Sequence, residues 1–444
     1  MGANVFQDIQ LAPLSDYVYF QEGPGIRKSQ NVDDGVCYLN IRCFVDGRLD
    51  KTSMHKVSNL VANGKYKHFL LEAGDFVVSS SGTLGRLVEV FPEDLPVMLN
   101  TSTIRFKPKD NSEIDRVFLK YFLLSEAFQS QVRKLATGSV QLNYGPSHLQ
   151  QVKIPVVPMS IQKTIVSIIE PIDKKIAMNN LVAKNLEKIA QAIFRSWFID
   201  FDPVKAKMSG LMPDGMDDAT AALFSDSMED SELGRIPKNW MSVKLGDELL
   251  VLESGKRPRG GAAGESGVPS IGAESIRGLG MFDFASTKFI PTDFYDGMPS
   301  GRVNEFDVLV YKDGAGAGSY VSMFGCGFPF EKFAINEHVF LLRPKSVSPY
   351  YLYFWMAQNR VKNLMIELAQ KSAQPGLNQK DMRTIGFLTP ETRVVEKFSE
   401  IVEPIIMEVM KLANQSRQLS TIRDALLPRL LSGELQIPED MLVS

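Results

Sequence analysis

What most constrains this chain is that it repeats itself. Leu14-Ser15-Asp16 recurs as Leu245-Gly246-Asp247, and Gly82 in SSSGTLG recurs as Gly314 in YKDGAGAG. Asn100 and Pro108 return as Asn336 and Pro344, Leu142-Asn143 as Leu377-Asn378, and Glu170-Pro171-Ile172 as Glu403-Pro404-Ile405. These matches keep one order along 444 residues, at offsets of 231 to 236. A period of about 230 residues far exceeds a solenoid repeat, so each copy is expected to be a domain with its own connector.

Each copy begins with short apolar runs broken by Gly and Pro, as in KHFLLEAGDFVVSSSG and NEFDVLVYKDGAGAG. That is the pattern of strands and turns. An aromatic helix follows, with Phe118, Tyr121, Phe122, Phe128 and Val132 echoed by Leu352, Phe354, Trp355, Val361 and Met365. A long helical pattern closes each copy. Steps of four and three place Ile165, Ile169, Ile172, Ile176, Leu186, Ile193 and Trp197 on one stripe, with Asn179, Ala183 and Ala190 between them. The same stripe 233 residues later holds Phe398, Val402, Ile405, Val409, Leu412, Leu419, Leu426 and Leu430, interrupted by Ser416 and Arg423. A heptad seam kept for more than four heptads reads as coiled coil. Each such helix would span ~50 Å at ~1.5 Å per residue. Pairing the two helices hides both seams; the blander arrangement packs each stripe on its own domain.

The expected organisation is therefore a tandem repeat of two globular domains of strands and helices, each followed by a long helix. The layout runs as a first domain over 1–158, a spacer helix over 159–199 and an acidic connector over 200–233. A second domain over 234–390, a second spacer helix over 391–432 and a tail over 433–444 complete it. Residues 199–235 hold nine acidic and three basic residues, which suits a solvated connector.

Several chemistries find no support. Cys37, Cys43, His55 and His68 are in no zinc-ligand spacing, so no metal site is expected. SGKRPRGG lacks the glycine spacing and Ser/Thr of a P-loop. GAGAGS at 314–319 has Ser319 where a dinucleotide loop needs its third glycine. No nucleophile elbow or methyltransferase tetrapeptide is present, so the chain is read as non-catalytic and without a cofactor of its own. The opening MGANVFQDIQ carries no secretory signal, no stretch reaches membrane-span length, and three cysteines fit a reducing cytoplasm.

Binding features remain. The formal net charge is −3, yet the acidic excess sits in the connector and the tail, leaving both repeats mildly basic. Lys256, Arg257 and Arg259 lie in the glycine-rich SGKRPRGG, and Arg27 and Lys28 follow glycines at the matching place in the first copy. Arginines on such loops can fork onto guanine edges or phosphates. The glycine turns offer Ser81, Thr83 and Arg86 in the first copy against Lys312 and Ser319 in the second. Gln141 and Tyr144 face Gln374 and Asn378 in the same way. Such amides and hydroxyls can read bases, and they can equally cap turns.

IPKNW followed by KLGD at 236–247, FRSWFIDFDPVKAK at 194–207 and ALLPRLLSGEL at 425–435 resemble the specificity subunit of type I restriction–modification systems. EGPGIRKSQNVDDGVCYLNIRCFVDGRLD at 22–50 is similar to an opening found in many of them. The first copy departs from the pattern in lacking the IP-x-x-W start. The resemblance implies an α/β (α+β) class, with two globular target-recognition domains separated by two long antiparallel coiled-coil helices in a pseudo-two-fold tandem repeat. It implies that each domain reads one half of a bipartite, asymmetric site in double-stranded DNA, with the helices setting the gap. It also implies two methylation subunits docked on the helices and motor/nuclease subunits joined through them. Those partners would bind S-adenosylmethionine and ATP/Mg. A coiled-coil adaptor whose globular halves bind proteins is the competing reading.

Overall fold

The structure, a computed structural model, describes residues 10–45, 47–110, 112–137, 142–262, 266–282, 287–371 and 375–442. The chain divides into two units, residues 1–174 with 419–444 and residues 175–418. Each unit holds one copy of the repeat together with a share of both long helices.

In the first unit, an antiparallel sheet runs in the order Val18–Glu22, Thr103–Pro108, Phe76–Ser79 and Leu87–Glu89. The second unit repeats it as Leu249–Ser254, Val339–Pro344, Val308–Tyr311 and Val321–Met323. Each unit has a smaller sheet containing one parallel pair: Val97 and Met98 face Cys37 and Tyr38, and Ala334 and Ile335 face Ser270 and Ile271. Each is closed by a ribbon, Gln10–Pro13 with Lys153–Val156 and Met241–Lys244 with Gly386–Thr389. The duplication is thus a duplication of strand order, and most pairing is antiparallel.

Two helices cover each main sheet. Asp115 caps Arg116–Leu124 by accepting from the amides of Val117 (2.8 Å) and Phe118 (2.9 Å), and Ser348 caps Pro349–Ala357 through Tyr351 N (3.1 Å). Tyr350 through Met356 are all buried, as expected of a helix that is apolar all round.

Each main sheet is entered past a buried aspartate. Asp75 accepts from Glu72 N at 2.9 Å and pairs with Arg105 at 3.3 Å. Asp307 accepts from Asn304 N at 2.7 Å and from two nitrogens of Arg343 at 2.8 and 2.6 Å. The aspartates are equivalent, but Arg105 and Arg343 stand two positions apart in the repeat, so one buried carboxylate is satisfied in two ways. Just before the aspartate, Gly74 has φ 92° where the second copy has Phe306 at φ 63°. The phenylalanine tolerates that conformation because its ring packs 5.5 Å from Tyr350.

The two long helices are Met159–Phe198 and Thr392–Leu431. In the first unit, Ile165, Ile169 and Leu430 are buried in one core, Leu426 packs against it, and Ile172 and Leu419 are half-buried. In the second, Trp197, Phe398, Val402 and Val409 are buried in the main core, with Leu186, Ile193 and Ile405 packed against it. Leu412 is also buried and Ile176 is half-buried. The polar seam positions are paired. Asn179 donates to Gln415 Oε1 (2.9 Å), Ser416 donates to Asn180 Oδ1 (3.2 Å), and Arg423 meets Asp173 at 2.8 Å. With Asn179 opposite Gln415 and Trp197 6.1 Å from Phe398, the helices run antiparallel in the second unit.

The connector departs from the solvated segment expected. It forms helices Asp202–Met208 and Asp218–Ala222 and a hairpin of Met228–Ser231 with Gly234–Pro237. Val204, Ala221 and Phe224 are buried, Phe224 with its ring 5.1 Å from Trp197. Apolar residues at the right places fold an acid-rich run, while acids such as Asp217 cap its helices. No described helix is long and apolar enough to cross a membrane.

Removing one member of a buried ion pair leaves the other uncompensated. Arg105→Ala should therefore cost about 3–5 kcal/mol, read as a fall in the urea midpoint of the full chain.

Candidate nucleic-acid interface

The basic loops grow from a shared anchor. A Cβ on Gly23 would lie 2.3 Å from Asn100 N, and one on Gly255 would lie 1.6 Å from Ile335 O. Only glycine lets the strand end come so close to the backbone around Asn100 and Asn336. Past these anchors the chain leaves the sheet. Arg27 and Lys28 are exposed at the short turn Lys28–Gln30, where Arg27 N donates to Gln30 Oε1 (2.9 Å). Lys256, Arg257 and Arg259 are exposed on the second loop, which turns where Gly261 N donates to Pro258 O (3.0 Å).

The glycine turns stand beside these loops. Gly85 N donates to Ser79 O at 3.0 Å, and Gly318 N donates to Tyr311 O at 2.8 Å, closing a matching turn that is one residue longer in the second copy. Gly82, Gly85, Gly314 and Gly318 all have positive φ, from 70° to 99°, so the glycines are there for conformation.

In the first copy the turn borders a cleft lined by Glu22, Ser80, Ser81, Thr101, Ser102, Asn143 and Tyr144. Desolvation raises the Glu22 carboxyl above its ordinary value. Otherwise the cleft presents hydroxyls and an amide. At the places of Ser80, Ser81, Thr101 and Ser102 the second copy carries ionisable residues. Lys312 donates to Asp313 Oδ2 (2.7 Å) and to Glu337 O (3.1 Å). His338 Nδ1 lies 3.1 Å from Asp313 Oδ2, and its Nε2 lies 3.4 Å from Glu337 Oε1. Arg257 Nε lies 2.7 Å from the same Oε1. Where one copy sets Ser80, Ser81, Thr101 and Ser102, the other sets Lys312, Asp313, Glu337 and His338.

The residues singled out from sequence have different fates. Arg27, Lys28, Lys256, Arg257, Arg259 and Thr83 are exposed on the loops and turn. Arg86 is exposed but reaches back to donate to Phe44 O. Ser81 lies in the cleft, and Ser319 is half-buried within its turn. Tyr144 is corrected to a core residue: it is 2% exposed and its hydroxyl donates to Ser79 O (3.2 Å). Burial raises that phenol well above its ordinary value. Lys312 is held inside the charged cluster, 20% exposed. Asn378 caps helix Gln379–Thr384 by accepting from Asp381 N (2.8 Å), which is the turn-capping alternative. Gln141 and Gln374 lie outside the described residues.

The match of Leu142-Asn143 to Leu377-Asn378 is also corrected. Tyr144 N donates to Ser80 O (3.1 Å) as Leu377 N donates to Lys312 O (2.9 Å), so Leu377 is the counterpart of Tyr144 in the repeat. Ser81 bridges Asn143 and Asp313 bridges Gly376, which fixes the same register. Thr101, Ser102, Glu337 and His338 were missed as site residues, although each pair directly follows a repeated asparagine. Among the described residues, no group of three or more His, Cys, Asp or Glu is arranged to hold a metal ion.

Gly255→Ala should destabilise the second unit by about 1–3 kcal/mol through overpacking and speed tryptic cleavage at the loop. Gly25→Ala is the control, since its Cβ would meet only Thr101 Cγ2 at 3.7 Å.

Comparison with known proteins agrees with this construction. Residues 16–188 match the model of the type I restriction modification DNA specificity domain. The specificity subunit of the type I restriction enzyme MjaIX of Methanocaldococcus jannaschii is 23% identical over 347 residues, covering 78% of this chain and 74% of that one. The HindI specificity subunit of Haemophilus influenzae is 27% identical over 322 residues, 62% of this chain and 67% of its own. The crystal structure of the type I restriction–modification S subunit from M. genitalium superposes with a TM-score of 0.51 at 16% identity, covering 96% of each chain. Residues 16–188 thus match the type I restriction modification DNA specificity domain, and the chain that carries them with their structural repeat is similar to type I specificity subunits.

Proposed function

We propose that each copy reads one half of a bipartite, asymmetric DNA site, and that the two long helices set the unread gap. The observation that carries this reading is one scaffold used twice with different faces, hydroxyls in one copy and a charged cluster in the other. Identical faces would favour a palindrome; unlike faces favour two different half-sites. A helix of 40 residues is ~60 Å long at ~1.5 Å per residue, ample to keep two readers about one duplex turn, ~34–36 Å, apart.

The chain acts as a DNA-recognition subunit without chemistry of its own. Two methylation subunits dock on the helices, bind S-adenosylmethionine and transfer its methyl group to adenine N6, which requires the base to leave the stack. Motor and nuclease subunits, using ATP/Mg, join through them in the cytoplasm. The mild charge of the recognition copies fits this division, since non-specific phosphate binding needs a larger basic surplus, supplied here by the partners.

Single-molecule methylome sequencing of cells carrying the chain with its methylation subunit tests the reading. A new bipartite N6-methyladenine motif with a fixed gap is expected. A complex that assembles yet writes no motif overturns it in favour of a protein-binding adaptor. Inserting four residues into each long helix should shift the accepted gap while leaving both half-sites readable. An unaltered gap removes the spacer role.

A further inference from the structure

The reading of DNA by the second copy leaves open how a loop rich in glycine can hold a base-reading side chain still. Flexible cations serve phosphate contacts well, but discrimination of a base edge needs a fixed fork. Of the three cations on the loop, Arg257 is the one whose backbone and side chain are both constrained.

Its backbone is fenced on both sides. Gly255, two residues earlier, is wedged against Ile335 O. Pro258 follows directly and restricts Arg257 to extended conformations. Its side chain is held at Nε, 2.7 Å from Glu337 Oε1. Glu337 is in turn part of a relay. His338 Nε2 approaches the same oxygen at 3.4 Å, His338 Nδ1 lies 3.1 Å from Asp313 Oδ2, and Lys312 ties Asp313 to the Glu337 carbonyl. Asn336 Oδ1 accepts from His338 N at 2.9 Å, anchoring the relay to the strand end.

The pair is only half made. Glu337 Oε2 is buried without a hydrogen-bond partner, so Arg257 does not grip the carboxylate with two prongs. The arginine stays 62% exposed. Its terminal Nη1–Nη2 edge is therefore not consumed by Glu337, and that edge has the spacing to meet O6 and N7 of one guanine. Lys256 and Arg259 have no hydrogen-bond or ion-pair partner among the described residues and remain exposed, which suits phosphate contacts.

We infer that Arg257 is a specificity-determining residue that reads a guanine in the half-site of the second copy, with Glu337 positioning it, while Lys256 and Arg259 contact phosphates. This rests on the DNA-reading function proposed above. In the first copy Thr101 stands where Glu337 stands in the second, so no equivalent carboxylate holds Arg27 or Lys28.

The test uses the complete complex of this chain with its methylation subunits and measures binding to duplexes in which each base pair of the recognised motif is changed singly. Arg257→Lys should relax preference at one guanine of the second half-site by roughly tenfold to a hundredfold, leaving every other position as selective as before. Glu337→Gln should relax the same base pair more weakly, and no other. Lys256→Ala and Arg259→Ala should lower affinity evenly for all sequences and flatten the salt dependence. Unchanged preference at every base pair in Arg257→Lys, with DNA still bound, overturns the inference and leaves the DNA-reading function standing. An even loss across all sequences in Glu337→Gln also overturns the positioning role, because a merely structural residue would act that way. A complex that assembles but binds no sequence preferentially, before any substitution, defeats the proposed function itself.

Discussion

Two helices of 40 residues, each with an apolar stripe along its length, cannot stand alone in water. Burying those stripes is the constraint on which the rest depends. In the second unit Phe194, Trp197 and Phe198 meet Phe398 at ring distances of 5.1 to 6.1 Å. The same rings continue into the domain: Phe198 lies 4.9 Å from Tyr351 and Phe194 5.7 Å from Phe354. Helix pair and domain therefore share one core. In the first unit Ile165 and Ile169 share a core with Phe118, Phe122 and Leu430. The polar seam residues add register. Asn179, Ser416 and Arg423 each find a partner, and a slip would leave them buried without one.

On that frame the chain repeats a scaffold and varies a surface. What is repeated is backbone: the strand orders, the buried aspartate before the main sheet, the wedged glycine at the loop base and the closed glycine turn. What varies is the set of side chains at the turn and after the repeated asparagine. Ser80, Ser81, Thr101 and Ser102, and Lys312, Asp313, Glu337 and His338 in their places, belong to no hydrophobic core, so two copies can diverge in what they touch while keeping how they fold. Arg105 and Arg343 extend this to the interior, where one buried carboxylate is satisfied by arginines from different positions.

Much of this was legible in the sequence. The repeat, the helix seam and the basic glycine loops could all be read because each is a local or periodic signal. The connector reads as solvated because its acids outnumber its bases nine to three, a charge signal that hides the burial of Val204, Ala221 and Phe224. Tyr144 was misread because a tyrosine beside amides looks like a binding residue, and only the fold shows its ring in the core. The Leu-Asn match fails because two shared letters are weaker evidence than the backbone bonds from Tyr144 to Ser80 and from Leu377 to Lys312, which give the two residues the same place in their copies.

Periodicity along one chain carries the duplication, the long helices and which of their faces is buried. Chain folding alone brings Arg257, Asp313, Glu337 and His338 into one cluster and sets Ser80, Ser81, Thr101 and Ser102 along one cleft in the other copy. These residues come from separate loops and strand ends, up to 81 positions apart. They meet because antiparallel pairing places distant strand ends side by side, and no pattern along the chain records that register.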